Sequence, residues 1–405
     1  MDEAAPVGEQ ELLLEELLST VHASDPSEAL EAAHHYGERI GLSDIALFLV
    51  DLQQRLLVPL SGGPVLEINT TVAGETFRTG ALRLSESGDG ELVLWLPLND
   101  AADRLGVLQA KAPVLDEPTL RRCRTLASLL ALVVTSKRAY SDTYVRKTRV
   151  QPMELHSEML RSLLPPRTLG TSRGVSTAVL EPAYELGGDA FDHSLIEDVL
   201  HAALLDGMGH DLASGLIAAV AMAGTRNARR NGADLTELTA SVEKALVEWL
   251  PERFCTVLFT TLDLSNGEFS WINCAHPAPL LLRNNRVLKD ALKRPAEVPL
   301  GLGPALGIET RTVHRVQLQP GDRVLLYSDG VIEARDDQGE VFGFRRFADF
   351  IARATAAEEP APETLRRLVH AIHEHQQGRF TDDATIMLLE WLPEHTGVIH
   401  VPGSE

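Results

Sequence analysis

The sequence of 405 residues is poor in cysteine and in positive charge. Its three cysteines, Cys123, Cys255 and Cys274, are an odd number without a Cys-x-x-Cys spacing, which argues against a disulfide framework and against a zinc site. Lysine and arginine number 37 against 58 aspartate and glutamate, and the resulting net charge of −21 disfavours nucleic acids and anionic membranes as partners. We therefore expect reduced thiols, no nucleic-acid partner and no membrane partner.

Long apolar runs and nucleotide-binding signatures are also missing. The most apolar run, residues 126–134, is too short to span a bilayer, and the acidic first five residues lack the basic start of a signal peptide. No P-loop or Gly-x-Gly-x-x-Gly follows a predicted strand, which disfavours a generic nucleotide-binding module. These absences predict a cytoplasmic location.

The chain is long enough for two or three domains, and its first 115 residues have a mixed helix and strand pattern. An amphipathic helix is predicted over 9–22, and further elements over Pro26–Ile40 (helix), Ile45–Val50, Arg55–Leu60, Leu92–Leu98 and Leu105–Ala112 (strands) and Gly74–Thr79 (helix). This order, with the segment Val72–Gly80, resembles a GAF domain, a sensor module of the α+β class. The resemblance implies a sensor over residues 1–115 that could hold a small molecule, although a ligand-free structural or dimerising fold is an equal alternative.

Residues 116–166 have the pattern of a helical linker. One long helix is predicted over Glu117–Lys147, and a short helix over Met153–Leu164 ends at Pro165-Pro166. An apolar stripe on so long a helix would be covered by pairing with a second copy of the chain. We therefore predict a homodimer through this linker.

Carboxylates recur at the ends of predicted strands in the last 240 residues. Apolar strands run into Asp206-Gly207 and into Asp329-Gly330, Asp189 follows a pair of glycines, and Asp382-Asp383 precedes the strand Ala384–Trp391. Such groups could converge into a cage of oxygen ligands for Mg²⁺ or Mn²⁺. The spacing alone leaves four unrelated turns as an equal alternative.

Five ordered motifs resemble one known family, the sporulation-stage-II-E (SpoIIE) serine/threonine phosphatases of the metal-dependent phosphatase 2C superfamily. The motifs are Glu185-Leu-Gly-Gly-Asp-Ala-Phe-Asp192, Asp206-Gly-Met-Gly-His210, Asn273-Cys-Ala-His-Pro-Ala-Pro-Leu280, Leu325-Leu-Tyr-Ser-Asp-Gly-Val-Ile-Glu-Ala-Arg335 and Asp382-Asp-Ala-Thr385. The resemblance implies an α+β fold in which residues 167–395 form an α-β-β-α sandwich of two antiparallel sheets, with residues 396–405 as a tail. It places the carboxylates at one edge of the sheets.

The same resemblance implies two Mn²⁺ or Mg²⁺ ions that activate a water molecule, so that no catalytic side chain is required. Asp206 would bridge both ions and the Gly207 carbonyl would bind one of them. Asp189 and Asp382 would hold the first ion, and Asp329 the second. Asp192 and Asp383 lie beside these motifs and are either further ligands or groups that orient bound water.

Two positions depart from the family pattern. Met208 stands where the wider phosphatase 2C superfamily has a histidine that serves as general acid, and His210 lies two residues further on. Cys274-Ala275 stands where Ala-Gly is usual, which adds a side chain to a tight loop. His276 in that loop could donate a hydrogen bond to phosphate, or it could be structural.

The sequence therefore predicts a Mn²⁺- or Mg²⁺-dependent phosphoserine/phosphothreonine protein phosphatase that is regulated by its GAF-like sensor. By resemblance, its substrate would be a phosphorylated anti-sigma-factor antagonist in partner-switching signalling. The alternative is a pseudo-phosphatase that binds such a partner without hydrolysis. Loss of a carboxylate would favour that alternative, and none of the expected carboxylates is missing.

Overall fold

A computed structural model of the chain describes residues 25–86, 91–185, 187–209, 211–295, 297–378 and 382–392, together with Glu15, Ser19 and Thr20. The chain divides into two compact units, with the boundary between Val150 and Gln151. In the described part of the chain, no helix combines the length and the apolarity that crossing a membrane requires. The three cysteines are free and buried.

From residue 25 onward, the described part of the N-terminal unit contains one six-stranded antiparallel sheet and four helices. The elements are α1 (Pro26–Arg39), β1 (Ser43–Val50), β2 (Leu56–Pro59), β3 (Leu66–Glu67), α2 (Val72–Thr79), β4 (Arg83–Glu86), β5 (Leu92–Asp100), β6 (Asp103–Ala112), α3 (Glu117–Arg138) and α4 (Asp142–Thr148). The strands lie in the order β3-β2-β1-β6-β5-β4. The four predicted strands are confirmed, and the two that the pattern missed, β3 and β4, are short edge strands.

Apolar side chains cover both faces of this sheet. One face packs against α1 and α3, and the other packs against Phe77 of α2 and Ile68. The predicted helix over 9–22 lies outside the described residues, apart from three of its positions. The GAF identity of the unit and the predicted domain limits stay predictions.

The structure corrects the expectation of one continuous linker helix. Helix α3 ends at Arg138, and a turn separates it from α4, which begins at Asp142. The apolar stripe of α3 is buried within its own unit, where Leu126 and Leu130 are 0% and 2% exposed. Because this stripe covers the sheet of its own unit, it does not provide the free surface on which the predicted homodimer was based, and the homodimer stays a prediction.

The C-terminal unit contains two antiparallel sheets and six α-helices among its described residues. The elements are α5 (Leu155–Leu163), β7 (Thr168–Gly170), β8 (Gly174–Glu181), β9 (Asp189–Ile196), β10 (Val199–Gly207), α6 (Leu212–Arg230), α7 (Leu235–Trp249), β11 (Cys255–Asp263), β12 (Glu268–Cys274), β13 (Leu280–Arg283), β14 (Arg286–Leu288), β15 (His314–Gln317), β16 (Arg323–Tyr327), α8 (Asp329–Glu333), α9 (Gly343–Ala356), α10 (Ala361–His375) and β17 (Ala384–Trp391).

These elements form four layers. The sheet β15-β12-β11-β10-β9 packs face to face on the sheet β14-β13-β16-β17-β8-β7, and residues such as Phe259 and Met387 from the two sheets share one core. Helices α6 and α7 pack on the first sheet, and helices α8 to α10 cover the outer face of the second. The predicted α+β class and the α-β-β-α sandwich are confirmed.

Candidate metal centre

The first two carboxylates of the site come from neighbouring strands of one sheet. Asp189 begins β9 and Asp206 lies near the end of β10, and the antiparallel register pairs them directly. On the other side of β10, Asp206 is paired with Thr256 of β11. The Thr256 hydroxyl donates to Asp206 Oδ2 over 3.3 Å.

The remaining carboxylates come from the second sheet. Asp329 follows β16, and Asp382 and Asp383 precede β17, which pairs with β16. Ser328 and Thr385 connect these ends, because the Ser328 N–H donates to the Thr385 carbonyl (2.9 Å) and the Thr385 N–H donates to Ser328 Oγ (3.0 Å). The ends of β16 and β17 therefore bring their carboxylates to one edge.

Hydrogen bonds join the two sheets at this edge. The Thr385 hydroxyl donates to Asp189 Oδ2 over 2.5 Å. Asp383 Oδ2 accepts from the backbone N–H groups of Gly187 (2.7 Å) and Asp189 (3.0 Å). Asp383 thus holds the loop that carries Asp189, and its carboxylate is engaged by backbone donors.

Two glycines allow the backbone segments of the site to approach each other. A Cβ at Gly188 would lie 2.2 Å from the Gly207 carbonyl oxygen, and a Cβ at Gly330 would lie 2.0 Å from the Asp383 carbonyl oxygen. Both distances are far below van der Waals contact with backbone atoms that cannot move aside. Gly188 and Gly330 are therefore required by close packing at the edge.

The carboxylates influence one another electrostatically. Burial, followed by the neighbouring charges of Asp329 and Asp382, raises the pKa of Asp206 to about 7. Burial, followed by Asp206 and Asp383, raises the pKa of Asp189 well above its ordinary value, and the Thr385 hydroxyl opposes this shift. Each ionised carboxylate therefore disfavours ionisation of its neighbours, which is the electrostatic setting that a bound cation relieves.

The donor set fits a hard divalent cation, because it consists of carboxylate and backbone carbonyl oxygens without sulfur. Among the described residues, no lysine or arginine pairs with Asp189, Asp206 or Asp383, so no protein cation already compensates these charges. Within the same part of the chain, no three His, Cys, Asp or Glu side chains are already arranged as a metal-binding group. The carboxylates share an edge without forming a complete coordination shell by themselves.

Asp192 lies outside this site. Its Oδ1 accepts from Arg226 (2.6 Å) and its Oδ2 accepts from Arg229 (2.5 Å), and its side chain is 1% exposed. Asp192 is three residues from Asp189 on β9, and an odd separation along a strand places side chains on opposite faces. Its role is a buried ion pair with α6. His210 lies outside the described residues.

The sequence motifs did not single out three hydroxyl groups of the site. Ser328 and Thr385 stand inside two of the quoted motifs without an assigned role, whereas Thr256 is in none. Thr256 reaches the site only through the register between β10 and β11. No local sequence signal specifies such a pairing across strands.

Comparison with known proteins is consistent with this geometry. Residues 197–392 match the model of the family described as stage II sporulation protein E (SpoIIE). Over 117 residues the chain is 30% identical to Protein IcfG of a Synechocystis species, a match that covers 28% of this chain and 17% of that protein. The chain therefore corresponds to only a small part of the length of this relative.

Two solved structures are similar to the chain. The SiaA-PP2C domain of Pseudomonas aeruginosa is 22% identical with a TM-score of 0.50, and the match covers 58% of this chain and 94% of that domain. A structure of the PP2C phosphatase domain and a fragment of the regulatory domain of SpoIIE from Bacillus subtilis is 14% identical, with a TM-score of 0.44 and coverage of 95% of each chain.

The sandwich of two antiparallel sheets, together with the likeness to the SiaA-PP2C domain, shows that the C-terminal unit has the phosphatase 2C fold. The similarity to the SpoIIE family is more specific than the fold, because the family model matches most of this unit, over residues 197–392.

Proposed function

We propose that the chain is a Mn²⁺- or Mg²⁺-dependent phosphatase of phosphoserine and phosphothreonine in proteins. The observation that carries this proposal is the meeting of both sheets at one acidic edge, where Asp206 has a pKa of about 7 because of burial and of neighbouring carboxylates. Asp206 would be shared by two ions, with Asp189 and Asp382 toward one and Asp329 toward the other. The backbone carbonyl of Gly207 would be the fifth proposed metal ligand.

The residues of this chain hold and orient the acidic groups. Two divalent cations, when bound, lower the pKa of a water molecule and neutralise charge on the transferring phosphoryl group. Thr385 fixes Asp189 through its hydroxyl, and Asp383 fixes the backbone on either side of Gly188. No serine, cysteine or histidine nucleophile is required for such a reaction.

The proposed substrate is a phosphorylated anti-sigma-factor antagonist, and the proposed role of the N-terminal unit is to regulate turnover. The support for this substrate is the resemblance of the five motifs to the SpoIIE family, together with the family match. The N-terminal unit has its own core and sheet, which supports a separate regulatory role. A small-molecule ligand of this unit and a homodimer belong to the same proposal.

The decisive experiment incubates the purified full chain with a panel of phosphorylated antagonist proteins, in Mn²⁺ and in EDTA. We expect phosphate release in Mn²⁺ and none in EDTA. Asp206→Asn and Asp329→Asn should keep the wild-type circular dichroism spectrum and lose several orders of magnitude in turnover, since each removes a charge that a bound cation needs. Asp349→Asn, an exposed position on α9, serves as the matched control.

Undiminished turnover in EDTA or in Asp206→Asn would show that the carboxylates are not the metal site of catalysis. Tight binding of an antagonist without phosphate release in Mn²⁺ would instead favour the pseudo-phosphatase.

A further inference from the structure

We propose that the hydroxyl of Thr256, held in place by His276, positions the Asp206 carboxylate for metal binding. The inference rests on the proposed function, because it assigns Asp206 to the metal site. It adds Thr256, which lies outside the sequence motifs, and it gives His276 a positioning role in place of the two alternatives that its motif left open. Neither residue is proposed to contact substrate.

The hydroxyl of Thr256 lies between two partners. It donates to Asp206 Oδ2 over 3.3 Å, and its oxygen is 2.9 Å from Nδ1 of His276. A hydroxyl has a single proton, so while Thr256 donates to the carboxylate it must accept the N–H of the imidazole. With the imidazole proton on Nδ1, the hydrogen bonds run from His276 through Thr256 to Asp206, and this is the tautomer that the proposal requires. With the proton on Nε2, directed at the Tyr327 backbone, Thr256 would donate to His276 instead, and the His276→Phe variant described below distinguishes the two.

His276 is itself held firmly. Its backbone N–H donates to Asn273 Oδ1 over 2.8 Å, and its carbonyl accepts from Asn273 Nδ2 over 2.9 Å. Between them Ala275 adopts a left-handed conformation with a φ of 60°, which closes the turn. Burial lowers the pKa of His276 to about 3, so the ring is neutral and acts through its hydrogen bond rather than through charge.

Asp206 needs such a support because another carboxylate lies beside it. Asp206 is paired directly with Asp189 across the sheet, and like charges repel, so a carboxylate free to rotate about its side-chain bonds would turn away from this neighbour. A threonine is suited to oppose this motion, since its β-branched side chain has few rotamers and the strand register fixes its position opposite Asp206. The bond to Thr256 therefore favours the conformation that faces the other carboxylates.

A purely structural role for the Thr256 hydroxyl makes a different prediction. If the hydroxyl only satisfies the buried imidazole, its removal lowers stability and leaves metal affinity unchanged. If it positions Asp206, its removal lowers metal affinity directly. Metal affinity, measured apart from turnover, separates the two roles.

The test measures Mn²⁺ binding to the full chain by electron paramagnetic resonance, with thermal unfolding recorded in parallel. Thr256→Val should weaken Mn²⁺ binding by about 10- to 100-fold, as losses of outer hydrogen bonds to metal ligands typically do. Thr256→Ser keeps the hydroxyl and should restore affinity to within about threefold of wild type.

The matched control is Thr260→Val on the same strand. Thr260 is paired with Ala202 just as Thr256 is paired with Asp206, and its hydroxyl donates to the Ala202 carbonyl over 3.1 Å. This variant also removes a buried hydrogen bond but has no carboxylate partner, so Mn²⁺ affinity should be unchanged.

A double-mutant cycle tests the order of the hydrogen bonds. His276→Phe keeps a ring and removes the N–H, and it should weaken Mn²⁺ binding in the same direction as Thr256→Val. Because His276 acts through Thr256, the double variant should bind Mn²⁺ no more weakly than Thr256→Val alone. Additive losses would contradict this order.

The outcomes separate this inference from the proposed function. Wild-type affinity in Thr256→Val, or an equal loss in Thr260→Val, would overturn the positioning role while leaving the proposed function intact. Failure of the wild-type chain to bind Mn²⁺ would refute the proposed metal site itself, and this inference with it.

Discussion

Replacing Asp206 by asparagine should stabilise the metal-free protein against unfolding. The same replacement should remove most of the stabilisation that Mn²⁺ gives to the wild-type protein. In the folded chain the pKa of Asp206 is about 7 against an ordinary value of 3.8, because burial and the neighbouring carboxylates penalise its charged form. An acid whose pKa is raised by folding makes the folded state less stable as the pH rises from its unfolded value to its folded value. Asparagine has nearly the same size and carries no charge, so it removes this penalty.

The size of the effect follows from the same two pKa values. A pKa difference of one corresponds to about 1.4 kcal/mol, so the complete penalty on charged Asp206 is about 4 kcal/mol at pH values above about 7. Burial is the largest cause of this penalty, and the neighbouring charges of Asp329 and Asp382 add to it. We therefore expect Asp206→Asn to raise the free energy of unfolding by about 2 to 4 kcal/mol at about pH 8 in EDTA.

The assay is urea unfolding at about pH 8 and about pH 4, in EDTA and in Mn²⁺. Near pH 4 wild-type Asp206 is protonated in the folded state, so the stabilisation by asparagine should fall below about 1 kcal/mol. Mn²⁺ should stabilise the wild-type chain strongly and the variant little, because only a state that binds the ion gains from it. An Asp206→Asn protein that is no more stable than wild type in EDTA at about pH 8 would refute the electrostatic reasoning.

Three further predictions follow from individual contacts. Asp383→Ala should weaken Mn²⁺ binding by about tenfold in an electron paramagnetic resonance titration, since it removes the oxygen that accepts from the backbone N–H groups of both Gly187 and Asp189. Unchanged affinity would contradict the positioning role of Asp383. Leu130→Glu should lower the free energy of unfolding of the N-terminal unit by more than about 3 kcal/mol in urea, because it places a charge in the buried core. Leu132→Glu, at a position that is 57% exposed, should leave this free energy nearly unchanged. A Leu130→Glu protein of unchanged stability but lower oligomeric mass would restore the dimer interpretation of this stripe. Asp192→Asn should lower the free energy of unfolding by about 3 to 5 kcal/mol, because it leaves Arg229 buried without its ion-pair partner. A melting temperature equal to that of wild type would contradict this prediction.

Local signals in the sequence determined most of the secondary structure of the C-terminal unit. Strand β17 has the predicted limits, Ala384–Trp391, and helix α7 spans Leu235–Trp249. The helix begins with a capping box in which Asp234 and Glu237 each bond the backbone of the other, a device specified by residues three apart. The Asp-Gly pairs at the end of β10 and shortly after β16 likewise mark strand ends through local chemistry.

The tertiary structure alone decided what the amphipathic stripe of α3 packs against. An apolar stripe specifies that a partner exists but not which one, since a sheet of the same unit and a second copy of the chain offer equivalent apolar surfaces. In this protein the sheet of the same unit covers Leu126 and Leu130. The pattern prediction also missed the turn between α3 and α4, which has no proline or glycine but ends at Ser141, the residue that caps α4 by accepting from the Thr143 N–H.

The tertiary structure also separated the roles of the acidic residues. Recognition of the motifs was enough to select Asp189, Asp206, Asp329 and Asp382, but Asp192 and Asp383 remained ambiguous because their surroundings depend on strand register. The sequence does not predict β9, since the polar residues Asp192, His193 and Ser194 interrupt its apolar pattern. Once β9 forms, alternation along the strand turns Asp189 toward Thr385 of the other sheet and Asp192 toward the arginines of α6.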